Sequence, residues 1–310
     1  MITTVTINPS VDKTYIVKDF EPFELNRATR IIYNAGSKGI NVSRVVTQLG
    51  RETCVLGFVG GQNGELLLSE LRAEGINEDL VRVEENSRLN IKIMDISTRK
   101  VTEVNEVGSP VSDAQLNEFM EKYEGYMEKS KVIVISGSIL PSMSKRIYFD
   151  LIAIANKYNK PVFLDCGGIL LREAIKASPY CIKPNLKEFA DMLGKKTLTE
   201  EEVLIQARGI IEKNGVKCVV VTLGGGGAIG VTKDEAYKIT PPNVEVVSTV
   251  GAGDAFLAGL CHGYMKGLDF SSQLILATSC ANAKVAEEGN NVPSFIELLG
   301  YVNGCNVTAL

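Results

Sequence analysis

The feature that most constrains this chain is a repeating alternation of short apolar segments with longer amphipathic ones. The apolar runs predict strands at 2–7, 53–59, 132–136, 161–165, 180–183 and 217–223. The stretches between them predict helices near 37–49, 64–74, 113–129, 144–158, 199–214, 252–266 and 271–287. Strands that are apolar throughout are typical of a parallel sheet covered on both faces. The sequence therefore predicts a three-layer α/β/α sandwich with a mostly parallel central sheet.

Two segments, 12–33 and 88–106, interrupt this alternation. The first holds β-type runs with no helix between them. In the second, polar and apolar side chains alternate, with Arg88, Asn90 and Lys92 on one face and Leu89, Ile91 and Ile93 on the other. We expect both segments to form one small antiparallel sheet. It would lie as a lid over the edge of a single domain that comprises residues 1–310.

Composition narrows the classes of function that the chain can serve. Of its 310 residues, 45% are hydrophobic and 23% are charged, and the formal net charge is −4, which is typical of a globular protein in water. This mild acidity gives no reason to expect nucleic acid or an anionic membrane as a partner. No apolar stretch is long enough to span a bilayer, and the N-terminus lacks the pattern of a signal peptide.

Cysteine and histidine usage narrows the chemistry further. The seven cysteines include no C-x-x-C pair, so neither a disulfide framework nor a zinc site is indicated, and we expect a reducing, cytoplasmic location. The single histidine, His262, leaves little room for histidine-based catalysis. The chemistry must therefore rest on carboxylates, lysines, arginines and backbone amides.

The run from Gly251 to Asp254 enters a predicted helix. Glycines at a helix start let a ligand approach the backbone, and the N–H groups there form an anion site. Asp254, in the first turn, is placed to accept a proton from a substrate hydroxyl. The alternative is an ordinary helix start whose aspartate complements the helix dipole.

A second glycine-containing run, from Gly36 to Asn41, also opens a helix. Lys38 and Asn41 are three residues apart and share a helix face, which suits a phosphate or the hydroxyls of a sugar. The alternative is a turn capped by Ser37, with Lys38 in solvent.

The polar face of the 88–92 strand is a candidate phosphate-binding surface. The alternative, which is commoner for strands of this pattern, is that the polar side chains simply face solvent. If this face covers a site, the opposite apolar face needs another cover. A partner subunit would supply it, so the sequence predicts a homodimer that associates through the lid.

Asn185 and Glu188 stand at helical spacing after a strand. Two oxygen donors on one face can order the waters around Mg²⁺. A helix N-cap with a capping-box glutamate has the same pattern.

Gly225, Gly227 and Gly230 match the G-x-G-x-x-G spacing of dinucleotide-binding folds. Such folds need a helix next, but the residues that follow predict a strand. The run therefore favours a loop against nucleotide phosphates or a plain hairpin turn.

The order and spacing of these motifs, with N-P-S-V-D at 8–12 after the first strand, resemble the ribokinase-like carbohydrate kinases. The resemblance extends from Thr3 to about Ala286. Within the family, the 8–12 and 88–92 segments and S-T-V at 248–250 look most like the 1-phosphofructokinases, with the tagatose-6-phosphate kinases a close second. The resemblance implies a ribokinase-like sandwich with a β-sheet lid.

The resemblance also implies roles for individual residues. Asp254 would be the catalytic base, and the transferred phosphoryl group would be held by the amides of Gly251, Ala252 and Gly253. The residues implied to bind the sugar phosphate are Asp12, Gly36, Lys38, Asn41, Arg88, Asn90 and Lys92. Those implied to line the ATP side are Lys183, Asn185, Thr222, Gly224, Gly227 and Asn282. Glu188, with Asn185, would order the Mg²⁺ shell through water.

The reaction implied is transfer of the γ-phosphoryl group of ATP to fructose 1-phosphate, which gives fructose 1,6-bisphosphate. The alternatives are phosphorylation of tagatose 6-phosphate and of an unphosphorylated sugar, and Arg88 argues against the latter. From other classes, the glycine run leaves an NAD-dependent oxidoreductase open. A non-catalytic sugar-phosphate sensor is disfavoured, because it needs neither Asp254 nor the Asn185–Glu188 pair.

Overall fold

The computed structural model describes residues 1–287, 289 and 291–310. Its strands are, in chain order, β1 (Ile2–Thr6), β2 (Ser10–Val17), β3 (Ala28–Gly36), β4 (Thr53–Gly60), β5 (Asn77–Glu78), β6 (Val81–Val83), β7 (Arg88–Asp95), β8 (Lys100–Asn105), β9 (Val132–Ser136), β10 (Val162–Asp165), β11 (Cys181–Ile182), β12 (Cys218–Thr222), β13 (Ala228–Thr232), β14 (Ala236–Thr240) and β15 (Asn306–Ala309). Its α-helices are α1 (Lys38–Gln48), α2 (Gly61–Ala73), α3 (Asp113–Gly125), α4 (Ile147–Lys157), α5 (Gly168–Ala174), α6 (Leu186–Met192), α7 (Glu200–Asn214), α8 (Ala252–Met265), α9 (Phe270–Val285) and α10 (Phe295–Leu299).

The large sheet follows the order β15-β14-β13-β12-β11-β10-β9-β1-β4-β5, and β6 also pairs with β4. Pairing is parallel from β5 to β12. It is antiparallel from β12 to β15. The predicted mostly parallel sheet is therefore confirmed, with an antiparallel edge built by the last part of the chain.

The two faces of the sheet bury separate apolar clusters, as the side chains of β9 illustrate. Ile133 and Ile135 pack in a cluster with residues of α3 to α7, whereas Val132 and Val134 pack in a second one with residues of α1, α8, α9 and α10. Because successive side chains of a strand point to opposite faces, an uninterrupted apolar run serves both clusters. This arrangement is the three-layer sandwich that the sequence predicts.

The smaller sheet has the order β3-β2-β7-β8. The prediction of an antiparallel sheet was wrong for its central pair, because β2 and β7 are parallel with Ser10 opposite Arg88. The outer pairs are antiparallel. Both central strands leave the edge of the large sheet in the same direction, so their pairing is parallel. The sheet also extends past the predicted 12–33 segment, from Ser10 to Gly36.

The glycine-rich run after β12 leads into β13 and forms the turn of a hairpin. Gly227 has a φ of 87°, and a Cβ there would collide with the carbonyl oxygen of Ile239. A Cβ at Gly230 would collide with Leu274 of α9. These two glycines are thus explained by backbone and sheet–helix packing, and the helix required by a dinucleotide-binding fold does not follow.

All seven cysteines are unpaired. No helix in the described part of the chain has the length and apolar character that crossing a membrane requires.

Candidate active site

The carboxyl ends of β10, β11 and β12 open onto a cavity of about 550 Å³. Ligands of open α/β sheets bind at this edge. The lining residues that the sequence singled out are Lys38, Lys183, Asn185, Glu188, Thr222, Gly224, Gly225, Gly227, Gly251, Ala252, Gly253, Asp254 and Asn282. Most of the predicted site residues therefore meet in one place.

The start of α8 forms one wall of this cavity. Gly251 precedes the helix with a φ of 77°, a left-handed conformation that favours glycine. The first N–H groups of a helix have no intrahelical acceptor, so this wall has the character of an anion site. The backbone N–H of Ala252 was predicted to bind the transferred phosphoryl group. In this structure it donates to Thr249 O, at 3.3 Å. The lysine Nζ of Lys183 lies 3.6 Å from where a Cβ would stand at Gly253.

Asp254 borders the cavity and is 6% exposed. Asn41 Nδ2 donates to its Oδ2 at 2.8 Å. Burial, with the nearby Asp165 carboxylate, raises the pKa of Asp254 to about 6, although Lys38, Asn41 and Lys183 oppose the rise. A carboxylate with this pKa is ionised near neutral pH and basic enough to accept a proton.

Asp165, at the end of β10, is the carboxylate that pairs with both lysines of the cavity. It is 1% exposed, and it pairs with Lys38 Nζ at 3.0 Å and with Lys183 Nζ at 3.1 Å. Although burial acts the other way, the two ammonium groups hold the pKa of Asp165 below its usual range. Burial lowers the pKa of Lys38, but the carboxylates of Asp165, Glu188 and Asp254 outweigh it and raise that pKa. Lys38 is therefore charged, and both lysines line the cavity.

A chain of polar contacts from α1 holds Asn41. Arg44 Nη1 donates to Asn41 Oδ1 at 3.0 Å and also to Ala35 O, and Arg44 Nε pairs with Glu74 at 2.7 Å. Because Arg44 occupies the oxygen of the Asn41 amide, the Nδ2 group of Asn41 is left to face Asp254.

Asn185 and Glu188 close a capping box at the start of α6. Asn185 Oδ1 accepts from Glu188 N at 2.8 Å, and Glu188 Oε2 accepts from Asn185 N at 2.9 Å. The other oxygen of Glu188 lies 3.6 Å from Lys38 Nζ. Within the part of the chain that is described, no group of three or more acidic, His or Cys side chains is arranged to hold a metal. Glu188 could contact Mg²⁺ only through water, and its metal-ordering role with Asn185 stays a prediction.

The lid-side residues form a second cluster around Asp12, and it does not line the cavity. Asp12 Oδ1 accepts from Asn90 Nδ2 at 3.0 Å, and Lys92 Nζ donates to Asp12 Oδ2 at 2.8 Å. A Cβ at Gly36 would run into the Asp12 carboxylate, so glycine is required there. Arg88, also on β7, does not line the cavity, and it donates to Asn8 O at 3.1 Å and to Glu106 O at 3.2 Å.

The far wall of the cavity comes from α9. Asn282 Nδ2 donates to Pro242 O at 3.1 Å, which holds a loop that also lines the cavity. Thr278, which the sequence analysis missed, presents a buried hydroxyl without a partner in the described chain.

A family model described as "pfkB family carbohydrate kinase" matches residues 6–295. The chain belongs to the pfkB carbohydrate kinases. It is 32% identical over 299 residues to the 1-phosphofructokinase of Bacillus subtilis, an alignment that covers 96% of this chain and 97% of that protein. It is 33% identical over 288 residues to the 1-phosphofructokinase of Borreliella burgdorferi, covering 91% of this chain and 92% of that protein.

A solved structure agrees with this kinase family. The tetrameric inhibited form of phosphofructokinase-2 from Escherichia coli superposes with a TM-score of 0.91 at 25% identity, and the match covers 98% of each chain. The ribokinase-like sandwich that the sequence suggested is thereby confirmed.

In this pfkB kinase, the residues that sequence reasoning missed are the ones that organise the cavity. Asp165 and Arg44 hold the lysines and Asn41 in place, yet neither belongs to a motif that the sequence analysis singled out. Asp165 follows a buried strand in the sequence, and an acidic residue at the carboxyl end of a parallel strand is a signal that could have identified it. Arg44 lies three residues after Asn41, on the same face of α1.

Replacing Asp165 with Asn is expected to reduce the free energy of unfolding by about 3–5 kcal/mol, because it leaves the buried Lys183 ammonium without its partner. Urea unfolding at pH 7 measures the change. Asp150→Asn, at an exposed position of α4, is the control and should change stability by less than about 0.5 kcal/mol. Equal stabilities for the two variants would contradict the role given to the Asp165 ion pairs.

Proposed function

We propose that this kinase transfers the γ-phosphoryl group of ATP to fructose 1-phosphate and forms fructose 1,6-bisphosphate. The observation that carries the proposal is the buried Asp254, which stands at a helix start beside a cavity with two lysines. The identities of 32% and 33% to two 1-phosphofructokinases support the acceptor. Tagatose 6-phosphate stays an alternative acceptor, since the two molecules differ only in which end carries the phosphate and in stereochemistry at one carbon.

The chemistry follows from the positions of these groups. The free primary hydroxyl of the acceptor attacks the γ-phosphorus, and the bond from that phosphorus to the bridging oxygen of ADP breaks. ADP leaves with the electron pair, and the hydroxyl proton passes to Asp254. Because the transition state of such transfers is loose, Lys38, Lys183 and the amides of Gly251 and Gly253 act mainly by stabilising negative charge.

The ATP side of the site would be formed by Lys183, Asn185, Thr222, Gly224, Gly227 and Asn282. Their place around one cavity supports this assignment. Mg²⁺, when bound, neutralises charge on the phosphate oxygens, and Glu188 would contact its waters.

The sugar phosphate would lie between this cavity and the small sheet. Asn41 contacts Asp254 directly, and the Asp12 cluster carries Asn90 and Lys92. Asn90 Oδ1 is buried and has no partner in the described chain, so it offers an acceptor to a sugar hydroxyl. Arg88 would bind the phosphate that the sugar already carries.

Replacing Asp254 with Asn should lower kcat about 10²- to 10⁴-fold, because the base is lost while the shape is kept. An assay of ADP release over a panel of ketose phosphates and free sugars measures it, and Asp234→Asn, at an exposed turn, is the control. In the unmodified kinase, kcat/KM should fall as the pH drops through about 6, since protonated Asp254 accepts no proton. Near-normal turnover of the Asp254 variant would refute the mechanism. A higher kcat/KM for tagatose 6-phosphate than for fructose 1-phosphate would make tagatose 6-phosphate the acceptor.

Replacing Arg88 with Ala should raise KM for the sugar phosphate about 10- to 100-fold, the loss expected for one charge-assisted hydrogen bond to phosphate. Turnover at saturation should change little. Arg82→Ala, at the surface on β6, is the control. An unchanged KM would favour an unphosphorylated sugar as the acceptor.

We also propose a homodimer that forms through the outer face of the small sheet. Strand register places Lys13, Tyr15, Ile31, Tyr33, Ile91, Ile93 and Val104 on this outer face. Ile31, Tyr33 and Val104 are 48%, 45% and 60% exposed. Leu89, which was expected to share this face, packs instead against an apolar cluster that includes Leu67 and Leu71 of α2. An apolar patch of this kind is typical of an interface, and the Escherichia coli relative has a tetrameric form.

Light scattering at micromolar concentration should give the mass of a dimer. Val104→Glu should shift it towards the monomer, because the interface would bury an unpaired charge. Ile205→Glu, at an equally exposed position of α7 (58% exposed), should leave it a dimer. A monomeric unmodified protein would disprove the interface.

A further inference from the structure

Lys284 is a buried lysine that the roles above leave unexplained. It lies in the last turn of α9 and is only 3% exposed. Its Nζ donates to Gly289 O at 2.7 Å, and within the described residues it forms no salt bridge. Burial of an ammonium group is costly, so its position calls for a physical reason.

Lys284 lies directly behind the turn that leads into α8. A Cβ at Gly251 would stand 3.3 Å from Lys284 Cε and 3.9 Å from Asn41 Nδ2. Gly251 lines the cavity, whereas Lys284 is not among its lining residues. The end of the lysine side chain therefore lies next to the backbone whose amides form the predicted anion site.

The same end of α9 also holds the segment that precedes this turn. Val285 O accepts hydrogen bonds from Val247 N at 2.8 Å and from Ser248 N at 3.1 Å. Lys284 and Val285 together therefore connect α9 to the approach to Gly251 and to the segment near Gly289.

The charge of Lys284 acts on the anion site at neutral pH. Burial lowers its pKa to about 8, the carboxylates of Glu287 and Asp254 oppose this shift, and Arg44 adds to it. The group is therefore mostly protonated at pH 7. A cation behind the start of α8 adds to the positive end of the helix dipole, at the place where negative charge would collect during transfer.

We propose that Lys284 is a positioning residue whose ammonium group serves as a fixed internal cation behind the phosphoryl-binding turn at Gly251–Asp254. It supports the turn and strengthens its attraction for the transferring phosphoryl group, without touching the substrates. The inference rests on the proposed function, because it assumes phosphoryl transfer at this turn.

Lys284→Met keeps the apolar stem and removes the charge. We expect kcat to fall about 10- to 100-fold, the range for losing one charged interaction, while KM for the acceptor changes less than about threefold. Lys157→Met is the matched control, because Lys157 also lies in the last turn of a helix, α4, but is exposed. Unchanged kcat in Lys284→Met would overturn the proposal.

Chemical rescue separates charge from structure. Lys284→Ala leaves space for a small amine, so methylammonium should restore part of kcat, whereas tetramethylammonium at the same ionic strength should not. Circular dichroism and thermal unfolding establish that the variant is folded. A folded variant whose lost activity methylammonium does not restore would show that Lys284 only fills space, and would overturn the proposal.

A binding measurement with ADP and aluminium fluoride separates the test of Lys284 from the test of the acceptor sugar. If the unmodified kinase turns over none of the ketose phosphates, the proposed function fails, but calorimetry on this mixture still tests the lysine. Lys284→Met should then bind it at least about tenfold more weakly than the unmodified protein, and equal Kd values would overturn the inference.

Discussion

The pairing of one buried carboxylate with two lysines is the interaction on which the rest of the site depends. Asp165 lies at the end of β10, where the parallel sheet removes it from water, and Lys38 and Lys183 approach it from α1 and from the end of β11. A buried carboxylate needs such partners because its desolvation is costly. In return, Asp165 holds both ammonium groups at the cavity, and its own charge helps to raise the pKa of Asp254.

A second line of contacts converges on Asp254 from α1 and α2. Glu74 holds Arg44, Arg44 occupies the amide oxygen of Asn41, and Asn41 donates to Asp254. Each group in this line restricts the next to one orientation, so a flexible asparagine becomes a directed donor. The base of the proposed reaction is thus positioned by residues up to three contacts away from it.

Sequence patterns predicted those parts of the site that are local. The start of α8 at 251–254 and the Asn185–Glu188 pair were both recognised, because capping residues and glycines act within a few positions of the chain. Pattern alone did not separate a metal-ordering role of Asn185 and Glu188 from the capping box, since both use the same spacing. The capping contacts became known only from the structure. The parallel pairing of β2 with β7 was not foreseen, because it joins strands more than 70 residues apart.

By itself the sequence determined the fold class, the elements of the sandwich and the family, because these follow from hydrophobic period and from motifs in a fixed order. Tertiary structure decided which charges face one another. Asp165 and Lys284 lie outside the motifs that the sequence analysis singled out, and the roles given to them rest on the partners that the folded chain brings to them. A residue's burial and its distance to charges far away in the chain set its electrostatics, and neither quantity exists until the sheet and helices have packed.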